Sequence, residues 1–128
     1  MNANSVDVEK GAGWSVSSLD GLGEGYGFRK IRAEMGVEAF GVNGIVMPAG
    51  YDTGAHYHDT QEELYIVFSG EFEVTLNGET RPLGPGGIAW VDAPVHRSLK
   101  NVGDGDGIYL CVGGKGGYVG RDGHHPED

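Results

Sequence analysis

Residues 50–70 run Gly50-Tyr-Asp-Thr-Gly-Ala-His56-Tyr-His58-Asp-Thr-Gln-Glu62-Glu63-Leu-Tyr65-Ile-Val-Phe-Ser-Gly70, and they hold the residue types best placed to do chemistry. His56 and His58 stand two positions apart. On a strand, side chains two apart lie on one face, so both imidazoles converge on one point. A carboxylate, Glu62 or Glu63, follows after a short turn, at the start of an apolar run that reads as a second strand. Two imidazoles and a carboxylate brought together make a site for a divalent first-row metal. Histidines in an exposed loop with no metal would give the same local sequence, so the surrounding elements have to decide.

Those elements read as strands. The chain has 128 residues, enough for one domain with a real core, and 25 of them are glycine. The glycines show no triplet period and sit between short runs of Val, Ile, Phe, Tyr and Leu. That pattern predicts an all-β barrel or sandwich of short strands joined by tight turns. Residues 1–13 are polar and small and are expected to fray. Trp14 to Leu19 is a candidate edge strand, and Asp20 to Gly27 reads as a turn, since no βαβ unit surrounds its glycines. Phe28 to Glu34 and Glu38 to Met47 read as strands, the latter with a bulge at Asn43-Gly44. Glu63 to Phe68 reads as a strand buried on both faces. Residues 71–77 alternate strictly, with Phe72, Val74 and Leu76 on one side, and Asn77-Gly78 is a hairpin signal. Glu79 to Leu83, Ile88 to Val91, Val95 to Val102 and Ile108 to Val112 complete the set. The glycine-rich tail from Gly113 reads as an extended arm packed through Tyr118 and Val119, with His124 and His125 as a solvated terminal pair.

Composition excludes several classes. The net charge is −10, with the acids scattered, which argues against nucleic acid and against an anionic membrane surface as partners. No apolar run approaches the length of a membrane span, and the N-terminus has no apolar segment of the signal-peptide kind. The single cysteine, Cys111, lies in the apolar run Ile108 to Val112 and reads as a buried strand residue, which suits a reducing cytoplasm.

The spacing in 50–70 resembles the first motif of the cupin superfamily: Gly, five residues, His-X-His, three or four residues, Glu, six residues, Gly. Gly50, His56, His58, Glu63 and Gly70 fit every interval, whereas Glu62 leaves seven residues before Gly70. The resemblance covers roughly residues 37–112. It implies a cupin-type β-barrel (a double-stranded β-helix, or jelly roll), often dimeric, with a metal in the barrel mouth. The expected organisation is residues 1–36 as an N-terminal arm and edge strands, 37–112 as the cupin barrel and 113–128 as the C-terminal arm.

The second superfamily motif fits less well. Laid without gaps from Gly86 to Asn101, it puts Asp92 at its Pro position, Pro94 at its Gly position and Arg97 at its metal-ligand His position, with His96 one residue early. Either a bulge near Pro94 turns His96 inward to complete a site of three His and one Glu, or register holds. In register, Val95, Arg97 and Leu99 share the inner face and His96, Ser98 and Lys100 the outer one. An inward Arg97 needs a partner, for which Glu63 is the candidate, or it holds a ligand's carboxylate or phosphate.

The resulting expectation is a metal-binding cupin with His56, His58 and Glu63, and in one reading His96, around Fe, Mn, Ni or Zn. Arg97 and Tyr65 are the candidate substrate-binding residues. The protein would act on or bind a small organic molecule, including an anionic one, as a dioxygenase or isomerase, in a cytoplasmic homodimer. The alternative is a non-catalytic binding cupin with Arg97 as ligand anchor and no metal.

Overall fold

The turns set the strand boundaries. In the computed structural model, which describes residues 7–126, Asn77 and Gly78 both take positive φ, 49° and 85°. That is the backbone of a two-residue hairpin turn whose twist matches its flanking strands. It joins two of the twelve strands found among the described residues. In chain order these are β1 (Glu9–Gly11), β2 (Trp14–Val16), β3 (Gly27–Arg29), β4 (Gly41–Met47), β5 (Tyr57–His58) and β6 (Glu62–Ser69). There follow β7 (Phe72–Leu76), β8 (Glu79–Leu83), β9 (Ile88–Val91), β10 (Arg97–Asn101), β11 (Gly107–Gly114) and β12 (Gly123–His124). One short α-helix, α1 (Ile31–Met35), lies between β3 and β4, and a single 3-10 turn spans Asp20–Leu22.

The strands form an all-β jelly-roll barrel of cupin type. A five-stranded sheet runs β3-β4-β11-β6-β9 and faces a three-stranded sheet β10-β7-β8. Residues 51–56 extend the smaller sheet. Thr53 N–H donates to Leu99 O at 2.9 Å, His56 N–H to Arg97 O at 2.9 Å and Arg97 N–H to His56 O at 2.8 Å. The histidine segment is thereby laid against β10, and the chain then crosses to β6 in the opposite sheet. Between the sheets lie Ile45, Met47, Val67, Phe72, Val74, Leu83, Val91 and Leu99, all buried. The Tyr109 ring sits edge-on to both Tyr65 and Phe72, with centroids at 5.9 and 5.5 Å, an arrangement aromatic quadrupoles favour.

Several sequence expectations are corrected. The strand expected over Phe28–Glu34 ends at Arg29 and becomes α1, because Arg, Ala, Glu and Met are good helix formers. Gly36 closes the helix in the left-handed region, at φ 84°. The bulge expected at Asn43-Gly44 is absent: β4 pairs with β11 in unbroken register, and Gly44 makes room for the Leu19 side chain. The ladder irregularity lies between Ile108 and Tyr109, in the pairing of β11 with β6. Strand β6 is not buried on both faces. Glu63, Tyr65 and Val67 point inward, while Phe68 is 64% exposed on an outer face it shares with Ile88 and Trp90. Of the N-terminal stretch expected to fray, residues 1–6 lie outside the described part, and Glu9–Gly11 pairs with Trp14–Val16. Within β10, the inward set is Arg97, Leu99 and Asn101, fixed by their register against Leu76, Val74 and Phe72.

Two turn glycines separate strain from crowding. Gly70 has φ 88°, and a Cβ there would stand 2.7 Å from the Gly107 backbone; Gly78 has φ 85° with open space around it. Gly78→Ala is expected to cost roughly 1–2 kcal/mol, the left-handed penalty alone. Gly70→Ala should cost clearly more, because backbone cannot yield as a side chain does. Urea denaturation of the two variants checks that order.

Candidate metal centre

The site forms where the two sheets open at one end of the barrel. Strand parity carries Glu63 inward from β6, and the crossing segment brings His56 and His58 to meet it. One potential ligand atom from each of the three lies within 4.8 Å of the others. The imidazoles stand nearly perpendicular, at 77° with centroids 5.4 Å apart. Glu62, one residue earlier, points outward. It accepts from Trp90 Nε1 at 2.9 Å and lies 3.4 Å from Lys115 Nζ.

Glu63 is buried, yet it is surrounded by donors. Tyr65 donates its hydroxyl to Oε1 at 2.5 Å and Cys111 its thiol to Oε2 at 3.0 Å, while His58 Nε2 lies 3.2 Å from Oε1. Burial pushes the carboxyl's pKa up, but these contacts outweigh it and hold the group near 2. The same burial, together with the facing carboxylate, pushes the Tyr65 hydroxyl and the Cys111 thiol well above their usual ranges, so both stay protonated as donors.

The histidines differ. Burial lowers the pKa of His56 and keeps it neutral, with a lone pair to offer. His58 is also pulled down by burial, but its contacts with Glu63 and Asp122 more than offset this and raise it. Its Nδ1–H donates to Asp122 Oδ1 at 2.7 Å. Its Nε2 is buried and, although close to Glu63, lacks an aligned hydrogen-bond partner. A buried nitrogen left in this state, beside a second neutral imidazole and an ionised carboxylate, fits a divalent transition metal.

The structure does not bring His96 to this cluster. Register holds through β10, so His96 is exposed, stacked on the outer side against Tyr57 at 4.9 Å. Arg97 points inward and is fully buried, 3.9 Å from Glu63 through Nε. Its terminal nitrogens donate to the carbonyls of Ala93 and Asp92 at 3.2 and 3.0 Å. The guanidinium thus caps the bend before Pro94 instead of facing the cavity, and the role of ligand anchor foreseen for it has no geometric support. Tyr65 does line the cavity, with its proton committed to Glu63.

That cavity has a volume of about 730 Å³ and runs from the His-His-Glu cluster past Tyr109 and Met47 to a mouth edged by Tyr51, Arg121, His124 and His125. The last three come from the C-terminal arm, whose β12 pairs with β5. His124 Nε2 lies 2.7 Å from Asp59 Oδ2, and His125 Nδ1 lies 3.0 Å from Ala55 O. They are therefore part of the mouth and not a free solvated pair. The arm also packs through Tyr118, whose ring lies under the Arg32 guanidinium at 4.0 Å. Asp122 and Arg121 carry no local sequence signal; only the arm's long-range pairing reveals them.

Comparison with known proteins accords with this geometry. Residues 44–113 match the family model described as a cupin domain. The chain belongs to the cupin family. Among curated relatives, this cupin is 30% identical over 66 residues to an oxalate-binding protein of Thermotoga maritima, covering 52% of this chain and 54% of that one. It thus spans about half the length of that relative. Among solved structures it resembles a sugar phosphate isomerase of the cupin superfamily from Silicibacter pomeroyi, with TM-score 0.64 and 26% identity over 69% of this chain and 58% of that one. A cupin protein from Bacteroides fragilis shares the fold at TM-score 0.70 and 21% identity, over 85% and 90% of the two chains. No helix among the described residues of this cupin is long and apolar enough to cross a membrane.

Because Tyr65 supplies the shortest contact to Glu63, Tyr65→Phe is expected to raise the Glu63 pKa from near 2 toward its ordinary value. A carboxyl whose folded pKa is depressed contributes stability that is present above its unfolded pKa and is lost as pH falls through the folded one. In the metal-free variant the acid-induced loss of stability should therefore be smaller in total and complete at a higher pH, its onset being set by the unfolded-state pKa that both proteins share. Carboxyl-carbon NMR titration of Glu63, with melting curves between pH 2 and 5, checks both shifts.

Proposed function

We propose that this cupin holds a divalent transition metal on His56, His58 and Glu63 and acts on a small organic anion, with isomerase- or dioxygenase-type chemistry. One observation carries the reading: the three ligand atoms converge at the inner end of a cavity, with the His58 Nε2 buried and unpartnered. Three protein ligands leave coordination positions open, the condition for a catalytic and not a purely structural metal. A bound metal would supply Lewis acidity at the cavity floor. The chain's own residues do the rest. Tyr65 and Cys111 keep Glu63 ionised and fixed, Tyr109 and Met47 give the cavity an apolar wall, and Arg121 places a cation at its mouth.

Arg121 supports the anionic substrate. Among the described residues it is the arginine or lysine that lines the cavity, and no carboxylate pairs with it. Oxalate and sugar phosphates, the molecules named for two similar proteins, are both anions. A cytoplasmic homodimer belongs to the same reading. Phe68, Ile88 and Trp90 leave an exposed apolar strip on the outer face of the larger sheet, the kind of surface a second copy covers.

Elemental analysis of the purified protein tests the metal. It should carry a transition metal that chelators remove, and His56→Ala or Glu63→Ala should lose it. His96→Ala should retain it, since that ring lies outside the cluster. A protein that is metal-free as purified, and takes up none of Fe(II), Mn(II), Ni(II) or Zn(II), would contradict the proposal. For the anion, thermal shift with oxalate and with a sugar phosphate should show stabilisation of the wild type. Arg121→Ala should weaken the binding roughly 10–100-fold, the worth of a charge-assisted hydrogen bond.

A further inference from the structure

The C-terminal arm beyond residue 113 lies outside the segment that matches the cupin domain, yet its Asp122 reaches the cluster at 2.7 Å from His58 Nδ1. We propose that Asp122 is the positioning residue of the metal site: its carboxylate holds the Nδ1 proton of His58 and so leaves Nε2 as the atom that ligates. This rests on the metal-binding reading above. An imidazole can ligate through one nitrogen only when the other carries the proton, and the hydrogen bond made by the second nitrogen decides which.

The geometry is specific at both ends of the ring. Nδ1 lies 2.7 Å from Asp122 Oδ1, and Nε2 lies on the Glu63 side of the ring, 3.2 Å from Oε1. His56 has no comparable support, since its Nδ1 is 3.5 Å from the Gly54 carbonyl. Asp122 is itself held in place. Its Oδ2 accepts from Thr60 N–H at 2.7 Å and Gln61 N–H at 3.0 Å, and its Oδ1 also accepts from Gln61 Nε2 at 2.7 Å. The carboxylate is thus clamped into the turn that joins the histidine strand to the Glu63 strand. Gly123 follows directly, paired opposite His58, where a Cβ would stand 3.2 Å from the ring's Cε1. A side chain at this position would crowd the ring by a few tenths of an ångström. Deleting an outer partner of this kind commonly weakens metal binding about 10–100-fold.

The test uses the full-length chain, stripped of metal and titrated with Zn(II) against a chelating indicator. Alongside it, long-range proton–nitrogen NMR of the histidine rings is recorded with and without Zn(II). In the wild type, His58 should show a protonated, hydrogen-bonded Nδ1 in both states, with Zn(II) perturbing its Nε2. Asp122→Ala should bind Zn(II) about 10–100-fold more weakly and lose the protected Nδ1 proton. Gln61→Ala removes one donor to Asp122 while leaving the carboxylate on His58, and should weaken binding far less than Asp122→Ala does. Equal affinity in Asp122→Ala and wild type overturns the proposal, as does an equal loss in Gln61→Ala, which would mean that loosening the turn suffices. A wild-type His58 with an unprotonated Nδ1 overturns it without any variant, so the test survives a variant that fails to fold. A wild type that has a protonated Nδ1 yet takes up none of Fe(II), Mn(II), Ni(II) or Zn(II) removes the metal reading itself and this role with it.

Discussion

A charged carboxylate buried inside a barrel has to be surrounded by donors, and in this protein that requirement falls on Glu63. A carboxylate shut away from water without hydrogen bonds would take up a proton instead of staying charged. Here the donors come from two strands, the hydroxyl of Tyr65 on β6 and the thiol of Cys111 on β11, and the ring of His58 on β5 stands 3.2 Å from the same carboxylate. All three contacts require one register. Cys111 faces Tyr65 across the β11–β6 ladder, and the irregularity between Ile108 and Tyr109 sets the phase in which Tyr109, Cys111 and Gly113 point inward. A slip of one residue in β6 would put Glu62 inside and Glu63 beside Trp90. The barrel's register and the charge state of one carboxylate are thus the same constraint seen from two sides.

Arg97 meets that constraint from the other sheet. It occupies the position at which the superfamily's second motif has a histidine, and the strand aims it inward as that motif requires. Its side chain is longer than an imidazole's, and its head group passes the cluster to reach the carbonyls of Asp92 and Ala93. Those carbonyls lie at the bend before Pro94, where each also accepts a backbone N–H, Ala93 O from His58 at 2.8 Å and Asp92 O from Val95 at 3.2 Å. The departure from the motif therefore leaves the His-His-Glu cluster with three members and converts the fourth inward position into a brace for the adjoining bend.

What the sequence makes legible follows the range of the forces involved. His56, His58, Glu63 and Tyr65 are fixed by parity on neighbouring strands, a local property, and the Asn77-Gly78 turn is a local backbone preference; these stand out. The placement of Arg97 follows from the same parity, since Leu99 marks the inner face. Helix α1 is hidden because Ile31, Ala33 and Met35 alternate with Arg32 and Glu34 as on a strand, while Arg32, Ala33, Glu34 and Met35 also carry the helical preference. The apparent bulge at Gly44 misled for another reason: that glycine serves the packing of Leu19, a contact 25 residues distant that no local pattern encodes. Asp122 is the extreme case. It meets its imidazole across 64 residues of chain, from a tail whose composition reads as a loose arm.

The arm changes how the division between barrel and appendage is drawn. The two sheets supply the ligand-bearing atoms and the apolar walls, and they would serve many chemistries equally well. Outside them, residues 121–125 place an arginine and two histidines at the mouth and a carboxylate behind His58. Charge at the entrance and tautomer at the floor are both properties on which a small anion and a metal would depend. Both come from residues directly adjoining one short strand, whose register, Gly123 against His58 and His124 against Tyr57, positions them together. A one-residue shift of β12 would carry Asp122 away from the Thr60–Gln61 amides and move Arg121 along the mouth in the same motion. Charge at the entrance and the hydrogen bond behind His58 are therefore concentrated in the C-terminal tail, and the coupling of the two is built into a single backbone pairing.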